Sequence, residues 1–271
     1  MKNIAIIPAR SGSKGLKDKN IKMLCGKPLL SYSIAAAKKS GMFDEIMVST
    51  DSHKYADIAI QHGASVPFFR SKENSSDIAS SRDMILEVIN NYHELGKKFD
   101  TVCLLQPTSP LRLAKDISEA YQDYHKNKVD ALTSVCEVDH SPLWTMTLME
   151  DRSLAEFRKK SSNVPRQKLD TYYRLNGAIY IWKIEYTIDG ASLKDDKEIA
   201  FIMDKKRSVD IDDEFDFIIA EQMLVRRGGG QLLILFSCCH SMKWGGQHEN
   251  CSDWPRLNGT EACKAPKTDI S

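Results

Sequence analysis

The sequence predicts an α/β fold with a mostly parallel sheet covered on both faces by helices. Two observations carry that prediction. From Ile4 to Val135, short apolar runs of strand length alternate with longer segments of helical period. Polar side chains then follow directly on the ends of those runs, at Arg10, Asp51, Arg70 and Gln106. That is where open parallel sheets bind their ligands.

Ile4–Ile7 is continuously apolar and reads as a buried first strand, closed by Pro8, which has no N–H for the ladder. Gly26 to Gly41 reads as a helix, with Pro28 in its first turn, Lys38 and Lys39 in its last and Gly41 just past its end. Glu45–Thr50 is a second strand, followed by Asp51 and a helix over 53–62. Val66–Phe69 is a short third strand. Asp83–Leu95 is helical, Thr101–Leu105 a fourth strand, Ala114–Lys126 a helix and Ala131–Val135 a fifth strand. Residues 137–175 break the alternation with Pro142, Trp144 and Pro165 and no sustained helical period. Asn176-Gly177 reads as a turn feeding a strand over Ala178–Trp182, whose alternation puts Tyr180 and Trp182 on one face. A last helix runs to Arg226. Gly228-Gly-Gly230 ends the pattern, which sets one domain at 1–227 and an unassigned tail at 228–271.

The 271 residues carry a formal net charge of +1, and 42% are hydrophobic and 28% charged. Such a balance is ordinary for a globular chain and provides no bulk charge for nucleic acid or a membrane surface, so neither is expected as a partner. No apolar run reaches the roughly 20 residues of a membrane span. The first residues lead straight into a strand, and a cytoplasmic location is the expectation. Cys25, Cys103 and Cys136 are scattered through the body and read as reduced thiols. Cys238, Cys239, Cys251 and Cys263 fall in the tail with His240 and His248, at spacings that match no standard zinc site. The tail has no amphipathic period and reads as a disordered or non-native extension.

Three strings carry chemistry. The first is Ile7-Pro-Ala-Arg-Ser-Gly-Ser-Lys-Gly-Leu-Lys-Asp-Lys-Asn20, a loop directly after the first strand. Consecutive N–H groups in such a glycine-bearing loop form an anion-binding concavity, and Arg10, Lys14, Lys17 and Lys19 add positive charge. The loop suits a polyphosphate, with a solvated basic turn as the alternative. It has the spacing of neither a Walker A loop nor the dinucleotide fingerprint. The second string, Leu105-Gln-Pro-Thr-Ser-Pro-Leu-Arg112, brackets a hydroxyl-rich turn with two prolines, and the Gln106 amide offers donor and acceptor. The third, Ser208-Val-Asp-Ile-Asp-Asp-Glu-Phe-Asp216, puts Asp210 and Asp212 on one face of an extended backbone, which suits a hard cation such as Mg²⁺. Asp212 equally reads as an N-cap for the following helix. Between these strings, Arg70 heads a polar loop ending at Ser80-Ser81, either of which reads as an N-cap.

Together these strings resemble those of the CMP-sialic acid synthetases, the N-acylneuraminate cytidylyltransferases, over residues 3–226. The resemblance implies a Rossmann-like nucleotidyltransferase with an extended dimerisation excursion at 137–175, hence a homodimer. It implies transfer of CMP from CTP to a nine-carbon sugar acid, N-acetylneuraminic acid first, with Mg²⁺ as cofactor and CTP and a nonulosonic acid as partners. By the same resemblance Arg10, Lys19, Asp212 and Arg166 are catalytic, with Arg166 reaching the partner's site. Ser13, Asn20, Arg70 and Ser81 bind the nucleotide. Gln106, Arg174, Asn176 and Tyr180 serve the sugar acid, and Asp210 and Asp212 hold the metal. For Ser81 a helix cap, and for Tyr180 a packed core aromatic, stand as alternatives. Trp144 stands where some sialic acid enzymes have a lysine, which opens the choice to legionaminic, pseudaminic or the shorter Kdo acid. A catalytically silent nucleotide-binding partner protein is the alternative from another class; the intact aspartate pair and basic loop argue against it.

Overall fold

The computed structural model describes residues 1–12, 15–76, 78–148, 150–154, 157–158, 169–188 and 197–227. Ser13, Arg166 and the whole of the tail with its cysteines lie outside the described residues. In chain order the elements are β1 (Asn3–Pro8), a small hairpin of β2 (Met23–Leu24) and β3 (Lys27–Pro28), α1 (Leu29–Ser40), β4 (Glu45–Ser49), α2 (His53–Gln61), α3 (Ser81–Glu94), β5 (Thr101–Leu104), α4 (Ala114–Asn127), β6 (Ala131–Glu137), β7 (Tyr173–Lys183), α5 (Ile184–Ile188), β8 (Glu198–Ile202) and α6 (Glu214–Arg227).

Alternation along the central strands sets the layers. Ile4 and Ile6 of β1, with Val102 and Leu104 of β5, turn to one face and pack on Met84, Ile85, Val88 and Tyr92 of α3. Ala5, Ile7 and Cys103 turn to the other, onto Leu30 and Ile34 of α1, Tyr55 of α2 and Ile117 and Tyr121 of α4. Both faces are thus covered, and each large apolar side chain removed from water contributes about 1.5–3 kcal/mol. Asp210 and Asp212 flank Ile211, which with Phe217 and Ala220 of α6 seals a third cluster against Leu24 and Leu29.

The six-stranded sheet runs β4-β1-β5-β7-β6-β8. Strands β4, β1 and β5 pair in parallel, as do β6 and β8, while β7 runs antiparallel to both β5 and β6. The reversal brings the early half of β7 to the same end of the sheet as the carboxyl ends of β1, β4 and β5. The predicted mostly parallel sheet therefore stands, with one inverted strand.

Three local readings are corrected. The first helix begins at Leu29 rather than Gly26, because Cys25 (φ 46°) and Gly26 (φ 77°) form the turn between β2 and β3. Val66–Phe69 is not a strand. Its backbone follows β4 only through single bonds from Ser65 N to Ile46 O, Val48 N to Ser65 O and Arg70 N to Thr50 O. Pro67 has no N–H with which to extend the ladder.

The third correction concerns Asn176-Gly177, which is no turn but lies inside β7, in a bulge. The register jumps from Thr133↔Tyr180 to Val135↔Leu175. Ser134 fills the gap: its hydroxyl donates to Asn176 Oδ1 at 2.6 Å and accepts from Ile179 N at 2.7 Å. Gly177 sits at φ 71°, which strains any other residue, and a Cβ there would lie 2.5 Å from Gln106 Oε1 and displace that side chain. Beyond the bulge β6 and β7 continue as a ribbon to Glu137↔Tyr173, so both ends of the stretch expected to leave the sheet at 137–175 are strand.

Candidate active site

The first loop is held by side chains. One ladder bond, Ala9 N to Ser49 O at 2.9 Å, carries it past β1. Ser11 then donates twice to the Asp51 carboxylate, from its N–H and its hydroxyl, at 2.7 Å each. Asn20, buried, donates to Arg10 O at 3.2 Å and so ties the loop's two ends. Tyr55 of α2 donates to Asp18 Oδ1 at 3.0 Å. The Arg10 guanidinium reaches Ser75 O at 3.3 Å. Gly15 lies against the third string; a Cβ there would meet Asp212 O at 2.8 Å.

Lys19 joins loop and aspartate pair. Its ammonium donates to Ile211 O at 2.6 Å and stands 3.4 Å from Asp212 Oδ1. The capping alternative for Asp212 is overturned: Asp213 caps α6, accepting from Asp216 N at 3.0 Å, while Asp216 Oδ2 accepts from Asp212 N and Asp213 N at 3.0 and 3.2 Å. Asp212 is thereby left with an 83% exposed side chain. Asp210 differs. Its Oδ1 is buried with no hydrogen-bond partner. Burial, joined by the nearby Asp212 charge, pushes its carboxyl above the usual range, against a bond from Thr108 and the charges of Lys19 and Arg174. A buried orphan carboxylate oxygen beside a second, open carboxylate is what a divalent oxygen-seeking cation would satisfy. Among the described residues no group of three or more His, Cys, Asp and Glu could hold a metal ion. The pair therefore fits Mg²⁺, which keeps waters and takes phosphate oxygens, better than a metal needing an all-protein cage.

A cleft of about 560 Å³ opens at these strand ends, lined by Arg10, Lys19, Asn20, Arg70, Gln106 and Asp212 among others. Arg70 is fixed by bonds to Ser49 Oγ (3.0 Å) and Ser49 O (2.6 Å). Burial lowers its pKa to about 10, partly offset by Asp51 and Glu87, so it stays cationic near neutrality. Ser80, not Ser81, caps α3, accepting from Asp83 N at 3.0 Å. Ser81 begins the helix and also lines the cleft.

Three expected sugar-site residues are placed outside the cleft lining. Asn176 is fully buried: it holds Ser134 and donates to Ser208 Oγ at 3.0 Å, two residues before Asp210. Its place is behind the aspartate pair, where it anchors the bulge and the third string. Tyr180 does share a face with Trp182, stacked at 5.4 Å. Burial and then the Asp210 charge raise its phenol pKa. Arg174 donates to Ser208 O and Leu175 O, both at 3.2 Å.

Against this geometry, the family model described as cytidylyltransferase matches residues 4–208. The chain belongs to the cytidylyltransferase family. It is 41% identical over 220 residues to an N-acylneuraminate cytidylyltransferase of Streptococcus agalactiae serotype V, covering 80% of this chain and 52% of that one. It is 34% identical over 233 residues to the CMP-N,N'-diacetyllegionaminic acid synthase of Legionella pneumophila, covering 83% and 97%. The chain spans about half the length of the streptococcal relative and nearly all of the Legionella one. A solved CMP:2-keto-3-deoxy-manno-octonic acid synthetase complexed with CTP superposes with a TM-score of 0.63 at 16% identity, covering 84% of this chain and 100% of that chain. That likeness bears out the α/β nucleotidyltransferase fold, and the family match bears out the resemblance carried by the three strings.

Two residues of this cytidylyltransferase-family site were passed over in the sequence. Arg112 closes the second string and is 3% exposed; it donates to Ala178 O at 2.6 Å, Ser33 Oγ at 2.5 Å and Gln106 O at 3.3 Å. Burial lowers its pKa to about 10. A cation set between Leu111 and Leu113 was the available signal. Thr108 O accepts from Ile211 N at 2.9 Å, joining the second string to the third.

Proposed function

We propose that this chain transfers CMP from CTP to the anomeric hydroxyl of a nine-carbon sugar acid, N-acetylneuraminic acid first, giving the CMP-sugar acid and pyrophosphate. One observation carries the reading: an aspartate pair with an orphaned buried oxygen stands beside a cleft lined by Arg10, Lys19 and Arg70. Arg10 and Lys19 steady the charge that builds on the triphosphate as the sugar hydroxyl attacks the α-phosphorus in line and pyrophosphate departs. Asn20, Arg70 and Ser81 orient the nucleotide. Gln106, from the end of β5, orients the sugar acid, and Arg174, Asn176 and Tyr180 hold the ground behind it. Asp210 and Asp212 would hold Mg²⁺, which when bound polarises the α-phosphate and supplies charge to offset the leaving oxygens.

The protein is read as a homodimer acting in the cytoplasm, with Arg166 completing the partner's site. Exposed Leu143, Trp144, Met146, Leu148, Tyr173 and Leu175 around the ribbon support a covered face there. Among the described residues no helix is long and apolar enough to cross a membrane. A second reading, N,N'-diacetyllegionaminic acid as the acceptor, is favoured by the match to nearly the whole Legionella relative. Pyrophosphate release from CTP and Mg²⁺ with a panel of sugar acids tests both. Turnover of Kdo with no nine-carbon acid refutes both, and no turnover of any acid favours the silent partner protein.

A further inference from the structure

We infer that Asp51 is a positioning residue for the first loop, holding Ser11 so that the neighbouring Arg10 stays at the cleft wall; the inference rests on reading the cleft as the CTP site. Asp51 is not among the cleft-lining residues, and its charge opposes a polyphosphate bound there only at longer range, so its bonds to the loop have to outweigh that repulsion. Both its oxygens are committed to a single residue, to Ser11 N–H and Ser11 Oγ at 2.7 Å each. Against the effect of burial, those two bonds, one from its own backbone N–H and the Arg70 charge hold its carboxyl below the usual range.

The Arg10 side chain is held separately, through its bond to Ser75 O at 3.3 Å, whereas Asp51 acts on the backbone beside it. Among the described residues, the backbone ladder stops at Ala9 N to Ser49 O, and the next backbone bond is the local turn bond from Lys19 N to Leu16 O. Between those points Arg10 is flanked by Ala9, fixed to β4, and Ser11, fixed by Asp51, with its own carbonyl held by Asn20. Gly12 then turns the chain at φ 75°. The far end is held from the same side, by Tyr55 on Asp18. The β4–α2 connection and the first turn of α2 thus grip the loop at both ends, with Asp51 at the end nearer Arg10 and Tyr55 at the other.

The sign of the effect separates a brace from a bystander. If Asp51 were only a solvated charge, Asp51→Ala would remove repulsion and tighten CTP binding. If it is the brace, Asp51→Ala weakens CTP binding about 10- to 100-fold, the scale of losing charge-assisted hydrogen bonds. Asp51→Asn keeps an acceptor for the Ser11 N–H and offers a donor to Ser11 Oγ, so it restores most of the affinity. Ser11→Ala, which loses one bond of the two, falls between and serves if Asp51→Ala does not fold. The experiment is calorimetric titration of CTP without sugar acid, together with hydrogen exchange of loop residues 9–16 in the ligand-free protein and KM for CTP against kcat. Expected are faster loop exchange in Asp51→Ala, a raised KM for CTP and a lowered kcat, because the loop carries Arg10, with both largely restored in Asp51→Asn. Unchanged or tighter CTP binding with unchanged loop exchange in Asp51→Ala overturns the brace. Wild-type protein that binds no CTP, while loop exchange still depends on Asp51, overturns the cleft assignment and leaves the brace standing.

Discussion

Asp210→Asn should remove turnover while leaving the fold as stable as before, or more so. The Asp210 Oδ1 is buried without a partner, and such an acceptor costs about 1–3 kcal/mol, more when charged. Asp210 is only partly buried, so the low end applies. Asparagine keeps the shape and an acceptor for Thr108 but removes the charge. Measured without metal, the expected gain lies between zero and about 1 kcal/mol, at most about 3 °C in melting temperature. Loss of a metal ligand should instead lower kcat about a thousandfold, equivalent to about 4 kcal/mol of transition-state stabilisation. The neighbouring aspartates provide the contrast. Asp212→Asn should lose activity similarly with a stability change under about 0.5 kcal/mol, because its side chain is 83% exposed and faces Lys19 at 3.4 Å. Asp213→Ala should cost about 1 kcal/mol of stability through loss of the α6 cap, with activity largely kept. Urea denaturation and pyrophosphate release at saturating CTP read the two axes. Wild-type kcat in Asp210→Asn with an unchanged Mg²⁺ dependence would refute the reasoning.

Arg112→Ala should destabilise the fold by about 2–3 kcal/mol in urea denaturation, because Ala178 O and Ser33 Oγ lose the guanidinium donor together, while Gln106 O keeps its bonds from Ser33 Oγ and Ser109 N. Lysine should rescue little, having no fork. The Glu45 carboxyl, although burial acts to raise it, is lowered from 4.5 by Lys97 and Ser65. Its contribution is complete above that pH and is lost as pH falls through the lowered folded value, so Glu45→Gln should flatten the stability profile below about pH 4.5. For the proposed homodimer, mixing Arg166→Ala chains with Arg10→Ala chains should restore part of the activity, since one composite site is intact; a verified mixed dimer with none would count against the assignment. Deleting 228–271 should leave turnover and melting unchanged, as all three strings lie before it; loss of soluble protein would show the tail to be structural.

Much of the fold could be read along the chain because its signals are local. The period-two burial of Ile4 and Ile6 against Ala5 and Ile7 follows from strand geometry alone, and the basic loop, the Gln106 turn and the Asp210/Asp212 spacing are contiguous strings. Where nearby residues competed for one task, the sequence left alternatives open. Ser80 or Ser81, and Asp212 or Asp213, satisfy the same capping preference, and which side chain reaches the free N–H depends on where the backbone turns.

The order of elements, the loop chemistry and the family-bearing strings were determined by residues close in sequence, since propensity, alternation and turn chemistry act over a few positions. Contacts across the fold settled the rest. Strand β7 runs reversed because it pairs with β5 and β6 across long sequence gaps, and its bulge exists because Ser134 can bond to Asn176, 42 positions away. The same holds for Ser11 on Asp51, Lys19 on Ile211 and Arg112 on Ala178. A buried polar group must find its partner wherever the packed chain brings one within about 3 Å, and no local pattern along the sequence records that distance.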